Sequence, residues 1–479
     1  MARYRAIAQE IKDEIASGAL DAGDKLPSLR HACHRWRVSL ITAKGAYRLL
    51  ERQGFIEARP QSGYYVLQQT TREEPTAYPA RKRVASPSDE LRIISHIVGA
   101  GSPDSIRSLG AAIPGPELLP LKALRRYSAR VARRSGLSMS EYPPPSGSER
   151  LREEIARHYR ALRAKVLPGD IVIHNGALDA ICTTLRSLTK PGDTIVLESP
   201  TYYLFMHAAA ALSLRVISVP HIPGEGIDLK LLRDALRSHS ITAIVLIPNF
   251  HNPTGSLMSL RAKQELLHVA YKYGATVVED DVYGELAFNG ERPPPLLALD
   301  THGIVAHCSS VSKILGPGLR VGWSISRRHQ PAIEQARFLE TVSCPALTQE
   351  VVAEYLSCDG LKRHSRLMGG KLAQHAEDYY ATLQRTLPRG ARITRPQGGF
   401  LLWIELPQGA DTTELFTSLA SKRTGLTPGI IFGNHPEARR FFRLSCGSQL
   451  SPQIEQAIMR IGEGACEQLK VRSRSNRSR

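Results

Sequence analysis

Cysteine is scarce and scattered, 7 in 479 residues, and no two form a C-x-x-C pair. That pattern excludes a disulfide scaffold and a cysteine-built zinc site, and no metal centre is expected. Long apolar runs are missing too. No stretch approaches the roughly 20 residues that span a bilayer, and the polar start Met1-Ala2-Arg3-Tyr4-Arg5 is no secretory signal. A cytoplasmic protein without membrane contact is expected. Acidic residues are in deficit, 45 Asp and Glu against 63 Lys and Arg, which leaves a formal net charge of +18. A surplus of that sign points to a polyanionic partner, nucleic acid before membrane. What is present is ordinary for a folded chain: 42% hydrophobic and 23% charged residues, at a length that suggests two or three domains.

The first 67 residues read as a small basic unit. Ile7, Ala8, Ile11 and Ile15 have helical spacing over Tyr4 to Ser17, and Gly18 stops the run. Leu26-Pro27-Ser28-Leu29-Arg30 opens a second helix with Ser28 as N-cap. A third starts near Ser39 and runs through Ala46, Leu49 and Leu50 to Gln53-Gly54. Phe55 to Arg59 and Tyr64 to Leu67 then read as a hairpin around Pro60-Gln61-Ser62-Gly63. Three short helices and a hairpin make a winged helix-turn-helix. The strings GDKLPSLR, VSLITAKGAYRLLERQGFIEARP and SGYYV resemble, in order, the GntR-type DNA-binding domain. The resemblance implies that Arg30, Ser39, Thr42 and Lys44 face double-stranded DNA and that Gly63 lets the wing approach a minor groove. Leu40 and Ile41 depart from the polar or basic side chains common there, which suggests apolar contact with thymine methyls.

Residues 68–90 have linker composition, with a basic cluster at Arg81-Lys82-Arg83. Helical spacing resumes at Leu91, Ile94, Ile97 and Val98, so a second domain is expected over 91–479. Its last residues, 470–479, are basic and read as a disordered tail.

Within 91–479, strand-length apolar runs alternate with helical segments: Ile171-Val172-Ile173, Thr194 to Leu197, Ala243 to Ile247, Thr276 to Val278 and Gly303 to His307. That alternation predicts an α/β domain with a largely parallel sheet, whose ligands sit beyond the carboxyl ends of the strands. Polar motifs fall at those ends. They are His174-Asn175-Gly176-Ala177-Leu178-Asp179, Glu198-Ser199-Pro200-Thr201-Tyr202, Pro248 to Gly255 with its Asn252-Pro253-Thr254-Gly255, and Glu279-Asp280-Asp281-Val282-Tyr283. Last comes Ser309-Ser310-Val311-Ser312-Lys313, followed by a Gly/Pro turn and Arg320. Alone, S-x-x-K also describes a polar strand end, or the penicillin-binding signature, whose S-D-N and K-T-G companions are missing here. A desolvated lysine beside cations, with hydroxyls and an arginine for a phosphate, suits a Schiff-base nucleophile.

Together these motifs resemble the fold-type I, class I/II aminotransferases that use pyridoxal 5'-phosphate. The resemblance implies that Lys313 forms the internal aldimine and that Asp280 keeps the pyridine nitrogen protonated. Asn252 and Tyr283 would bond the phenolic oxygen, and Tyr202 would stack on the ring. Ser310, Arg320 and the amides of Ala177 and Leu178 would hold the phosphate, although Leu178 stands where relatives often carry a polar side chain. Tyr142 would reach the phosphate of a neighbouring subunit in a homodimer, and Arg443 would clamp an effector or substrate carboxylate. Across the chain the resemblance is to the MocR-type transcriptional regulators. It implies a pyridoxal-phosphate-dependent, DNA-binding regulator that senses an amino compound by aldimine exchange at Lys313. A catalytically active aminotransferase with an accessory DNA-binding domain is the alternative. A scaffold that has lost its cofactor is disfavoured by the presence of Lys313, Asp280, Asn252 and Arg320.

Overall fold

The computed structural model describes residues 3–59, 62–67, 109–134, 142–358, 360–420, 424–433 and 435–475. The expected linker at 68–90, its Arg81-Lys82-Arg83 cluster and the helical spacing from Leu91 to Val98 lie outside the described residues.

The N-terminal unit is the expected one. Helices α1 (Arg3–Ala16), α2 (Leu29–Trp36) and α3 (Leu40–Arg52) precede strands β1 (Ile56–Arg59) and β2 (Gly63–Val66), which pair antiparallel. Ser28 caps α2 by accepting from the His31 N–H, and Ser39 caps α3 by accepting from Thr42. Both hydroxyls satisfy N–H groups that a helix start leaves without partners. Ala43, Ala46, Tyr47 and Leu50 form the buried stripe of α3, at the spacing of one helix face. Tyr47 is fully buried and donates its hydroxyl to the Pro27 carbonyl at 2.8 Å. Burying that ring without a partner for the hydroxyl would cost stability, and the bond removes the penalty.

The larger unit is built on an eight-stranded sheet. Its strands are β3 (Ile171–His174), β4 (Thr194–Ser199), β5 (Arg215–Ile222), β6 (Gly226–Ile227), β7 (Ala243–Leu246), β8 (Thr276–Asp280), β9 (Val305–Ser310) and β10 (Gly322–Ile325), in the order β3-β10-β9-β8-β7-β4-β5-β6. β5, β4, β7, β8 and β9 run parallel, while β10 is antiparallel to both β3 and β9. Side chains alternate between two cores. Ile195 and Leu197 of β4 pack with Phe205 on one face, and Val196 packs with Ile244 and Leu266 on the other. Burial on both faces is why these strands read as continuous apolar runs.

A second, antiparallel sheet has the order β11-β12-β14-β13, from β11 (Arg392–Ile393), β12 (Leu401–Glu405), β13 (Thr427–Pro428) and β14 (Phe441–Ser445). The C-terminal tail corrects one expectation. A helix runs over Pro452–Ser475, through most of the stretch read as disordered, and residues 476–479 lie outside the described residues. Ala457, Ile458, Ile461 and Ala465 are fully buried. Their packing nucleates the helix, and adding turns beyond them is cheap compared with starting one.

Candidate cofactor site and nucleic-acid interface

The strand-end motifs converge. A cavity of about 270 Å³ is lined by Ala177, Leu178, Tyr202, Asn252, Asp280, Tyr283, Ser310, Lys313 and Arg320, together with the segment Ala111-Ala112-Ile113. Asp280 ends β8 and Ser310 ends β9, so parallel neighbours deliver both to the same edge. Ala177 and Leu178 begin a 12-residue helix after Gly176. Their N–H groups have no intrahelical acceptor, the arrangement that favours an anion. Gly176 is at φ +106°, and a Cβ there would lie 2.6 Å from Nη2 of Arg320. A side chain at 176 would be strained at that φ and would push the guanidinium out of place. Arg320 Nη2 donates to the Asn175 carbonyl, which aims the guanidinium across the same turn.

Lys313 donates from Nζ to the Ala112 carbonyl at 2.8 Å. Desolvation in the cavity, with Arg443 nearby as the next cause, lowers its pKa to about 8. Burial, and then the neighbouring Asp281, raise Asp280 to about 7. Asp280 Oδ1 is buried and has no hydrogen-bond partner among the described residues. Arg443, on β14 of the second sheet, is 1% exposed and meets the site at Asn252. Its Nη1 donates to Asn252 Oδ1 and its Nη2 to the Gly110 carbonyl, both at 2.7 Å, while Nε is buried without a partner. An unsatisfied buried carboxylate oxygen and guanidinium N–H in one region are costly unless ligands complete them. Tyr283 hydrogen-bonds Asn252, and Tyr202 packs at 4.9 Å on Tyr203. Tyr142 is 83% exposed and lines no part of its own chain's cavity.

Residues 115–461 match the family described as aminotransferase class I and II, and residues 3–66 match the bacterial regulatory proteins of the gntR family. The uncharacterized HTH-type transcriptional regulator YdcR of Escherichia coli is 36% identical over 98% of this chain and 100% of its own length. A second such regulator from that organism, YjiR, is 33% identical over 97% of this chain and 98% of its own.

The chain belongs to the MocR-type transcriptional regulators.

It joins a gntR-family helix-turn-helix to a fold-type I aminotransferase domain, and its cofactor is pyridoxal phosphate. The crystal structure of LysN, an alpha-aminoadipate aminotransferase from Thermus thermophilus in complex with N-(5'-phosphopyridoxyl)-L-leucine, superposes with a TM-score of 0.70 at 29% identity, covering 79% of this chain and 98% of that one. The donor set fits the cofactor. Asp280 Oδ1 is buried without a partner among the described residues, as a protonated ring nitrogen would need, and hydroxyl, guanidinium and helix N–H groups line the cavity, as a phosphate would need.

Two residues of this regulator's site escaped sequence reasoning. Glu198 accepts from the Ile247 N–H and from His221 at 2.9 Å, and lies 3.3 Å from His251. His251 stacks on His221 at 4.0 Å and contacts Thr254 at 2.9 Å. This fully buried network braces the turn that presents Asn252. The available signal was the polar pair itself, placed inside strand-end motifs where apolar residues would otherwise sit.

In the regulator's DNA-reading unit, Arg30, Ser39 and Lys44 are exposed and Thr42 is half-buried. Ser39 and Thr42 share a 2.9 Å hydroxyl contact at the start of α3. Leu40 and Ile41 are 54% and 85% exposed beside them. Gly63, at φ +113°, opens β2 where the wing turns, and Arg59 lies 4.4 Å over the Tyr65 ring next to it. Among the described residues no helix is long and apolar enough to cross a membrane.

Proposed function

We propose that this regulator senses an amino compound at Lys313 and answers by changing how its helix-turn-helix sits on operator DNA in the cytoplasm. The convergence of Lys313, Asp280, Asn252 and Arg320 on one cavity carries the reading. Pyridoxal phosphate supplies an aldehyde carbon that holds one amine at a time.

Asp280 would pair with the ring nitrogen, whose positive charge would offset the burial that now raises the carboxyl. Tyr283 and Asn252 would hold the phenolic oxygen and Tyr202 would stack on the ring. Ser310, Arg320 and the Ala177 and Leu178 amides would hold the phosphate. Arg443 binds the effector's carboxylate through its unsatisfied Nε edge. Burial lowers the pKa of Lys313 to about 8, so its amine would be available as a nucleophile toward the cofactor's aldehyde. Exposed Tyr142 is free to reach the cavity of a second copy, which supports a homodimer. Arg30, Ser39, Thr42, Lys44 and Gly63 contact the DNA, with Leu40 and Ile41 against thymine methyls. The domains divide as 1–67, 68–90 and 91–479.

The test is a screen of amino compounds for change in the bound cofactor's visible absorbance, followed by operator titration with each compound that scores. A scoring compound should shift operator affinity by about 5–150-fold, and operator DNA should shift the compound's affinity by the same factor. No shift with any scoring compound, together with turnover of about 1–1000 per second, would replace this reading with that of a working aminotransferase.

A further inference from the structure

The third helix of the DNA-reading unit ends against the cofactor domain. Arg52, its last residue, donates from Nη2 to both carboxylate oxygens of Asp378, at 3.1 and 3.2 Å. Arg385 donates to the Arg52 carbonyl at 2.9 Å. That places a cation at the negative end of the α3 dipole. Lys12 of α1 lies 3.7 Å from Glu377 and 4.5 Å over the Phe55 ring. Glu377, Asp378 and Arg385 all belong to one helix, the 27-residue Gly360–Thr386. Asp378 is only 7% exposed at this contact, and Gln374 donates to it as well.

The other end of the same helix touches the cofactor lysine's own loop. His364 Nε2 donates to the Ile314 carbonyl at 2.9 Å, one residue past Lys313. Ser365 donates to the Glu285 carbonyl, just beyond Tyr283. At 1.5 Å per residue the helix spans about 21 Å from His364 to Asp378. Thirteen of its residues are buried, from Leu361 to Leu383, so it moves as a packed body.

We propose that helix Gly360–Thr386 is a coupling rod: His364 senses the position of the Lys313 loop, and the Arg52–Asp378 pair passes that position to α3. This rests on the proposed sensing at Lys313 and names the element that carries it. Releasing Lys313 from the cofactor frees the backbone that His364 holds. The rod then has two resting positions, and operator DNA favours one of them.

The test uses the full chain and needs no natural effector. The protein is loaded with pyridoxal phosphate, which engages Lys313, or with pyridoxamine phosphate, which leaves it free. Each form is titrated with a duplex selected from random DNA by the wild-type protein. The ratio of the two affinities is the readout, so any effect common to both forms cancels. We expect a wild-type ratio of about 5–150, collapsing towards unity in Asp378→Asn and in His364→Ala. Retained cofactor absorbance shows that the cofactor domain of each variant is folded, and retained operator binding in at least one loaded form shows that the reading unit is. The charge swap Arg52→Asp with Asp378→Arg should restore the ratio, which a loss of mere stability would not do. A wild-type ratio that persists in both single variants overturns the rod and leaves sensing at Lys313 standing. A wild-type ratio of unity, with no active compound in the screen, overturns both.

Discussion

The two functional regions of this chain treat water in opposite ways. In the reading unit the side chains expected to meet DNA stand in solvent: Arg30, Ser39 and Lys44 are exposed, and Ile41 is 85% exposed. In the cofactor domain the corresponding groups are withdrawn from it, with Asp280 at 4% and Arg443 at 1% exposure. The first arrangement leaves charges open to screening by salt. The second shifts proton affinities, lowering Lys313 to about 8 and raising Asp280 to about 7. One region is built for reversible contact with a polyanion, the other for chemistry on one small molecule.

The sharpest break of that comparison is Lys313→Ala. Borohydride followed by denaturation should leave cofactor covalently attached to the wild type, at Lys313, and none on the variant. Operator binding should persist at the affinity of the wild type carrying pyridoxamine phosphate, whose lysine is also free, and should no longer respond to an effector. Attachment at another lysine would dismiss Lys313 as the cofactor's partner.

Salt should separate the regions next. If the reading unit neutralises about 6–10 phosphates, operator affinity falls roughly 10³–10⁵-fold between about 50 and 200 mM salt. Cofactor retention, which depends on buried contacts, should not change over that range. Equal operator affinity at both salt concentrations would mean that the winged helix binds something other than a polyanion.

A smaller effect concerns protons. The neutral amine of Lys313 is the nucleophile, so cofactor-free protein should recapture pyridoxal phosphate faster as pH rises through about 8, where the lysine loses its proton. From pH 6 to 8 the neutral fraction, and with it the initial rate, grows about fifty-fold. A rate still climbing steeply above pH 10 would show that the amine keeps its ordinary proton affinity.

The smallest is structural. Ser28→Ala removes the acceptor that caps α2 and should destabilise the reading unit by about 1 kcal/mol, seen as a lower melting temperature. Cofactor absorbance should be untouched. A matching loss of cofactor would show that the two units unfold together.

Much of this was legible in the sequence. The cap at Ser28, the α3 stripe Ala43, Ala46, Tyr47 and Leu50, and the strand runs ending in Asp280 and Ser310 are local patterns. In a parallel sheet the chain direction alone sends every such strand end to one edge, so motifs in order imply a shared site. The basic C-terminal stretch misled because composition counts charge and ignores the buried stripe Ala457, Ile458, Ile461 and Ala465 that starts its helix. Tertiary structure alone decided the rest. Arg443 enters from a separate antiparallel sheet, and its hold on Asn252 depends on how the two sheets pack. The burial that shifts Lys313 and Asp280 exists only once the strand ends of the large sheet and the Ala111–Ile113 segment close the cavity. The meeting of Arg52 with Asp378 joins positions far apart along the chain. A charge pair of that kind leaves no periodicity or spacing to read, because only the packing of one unit on another brings its two ends within reach.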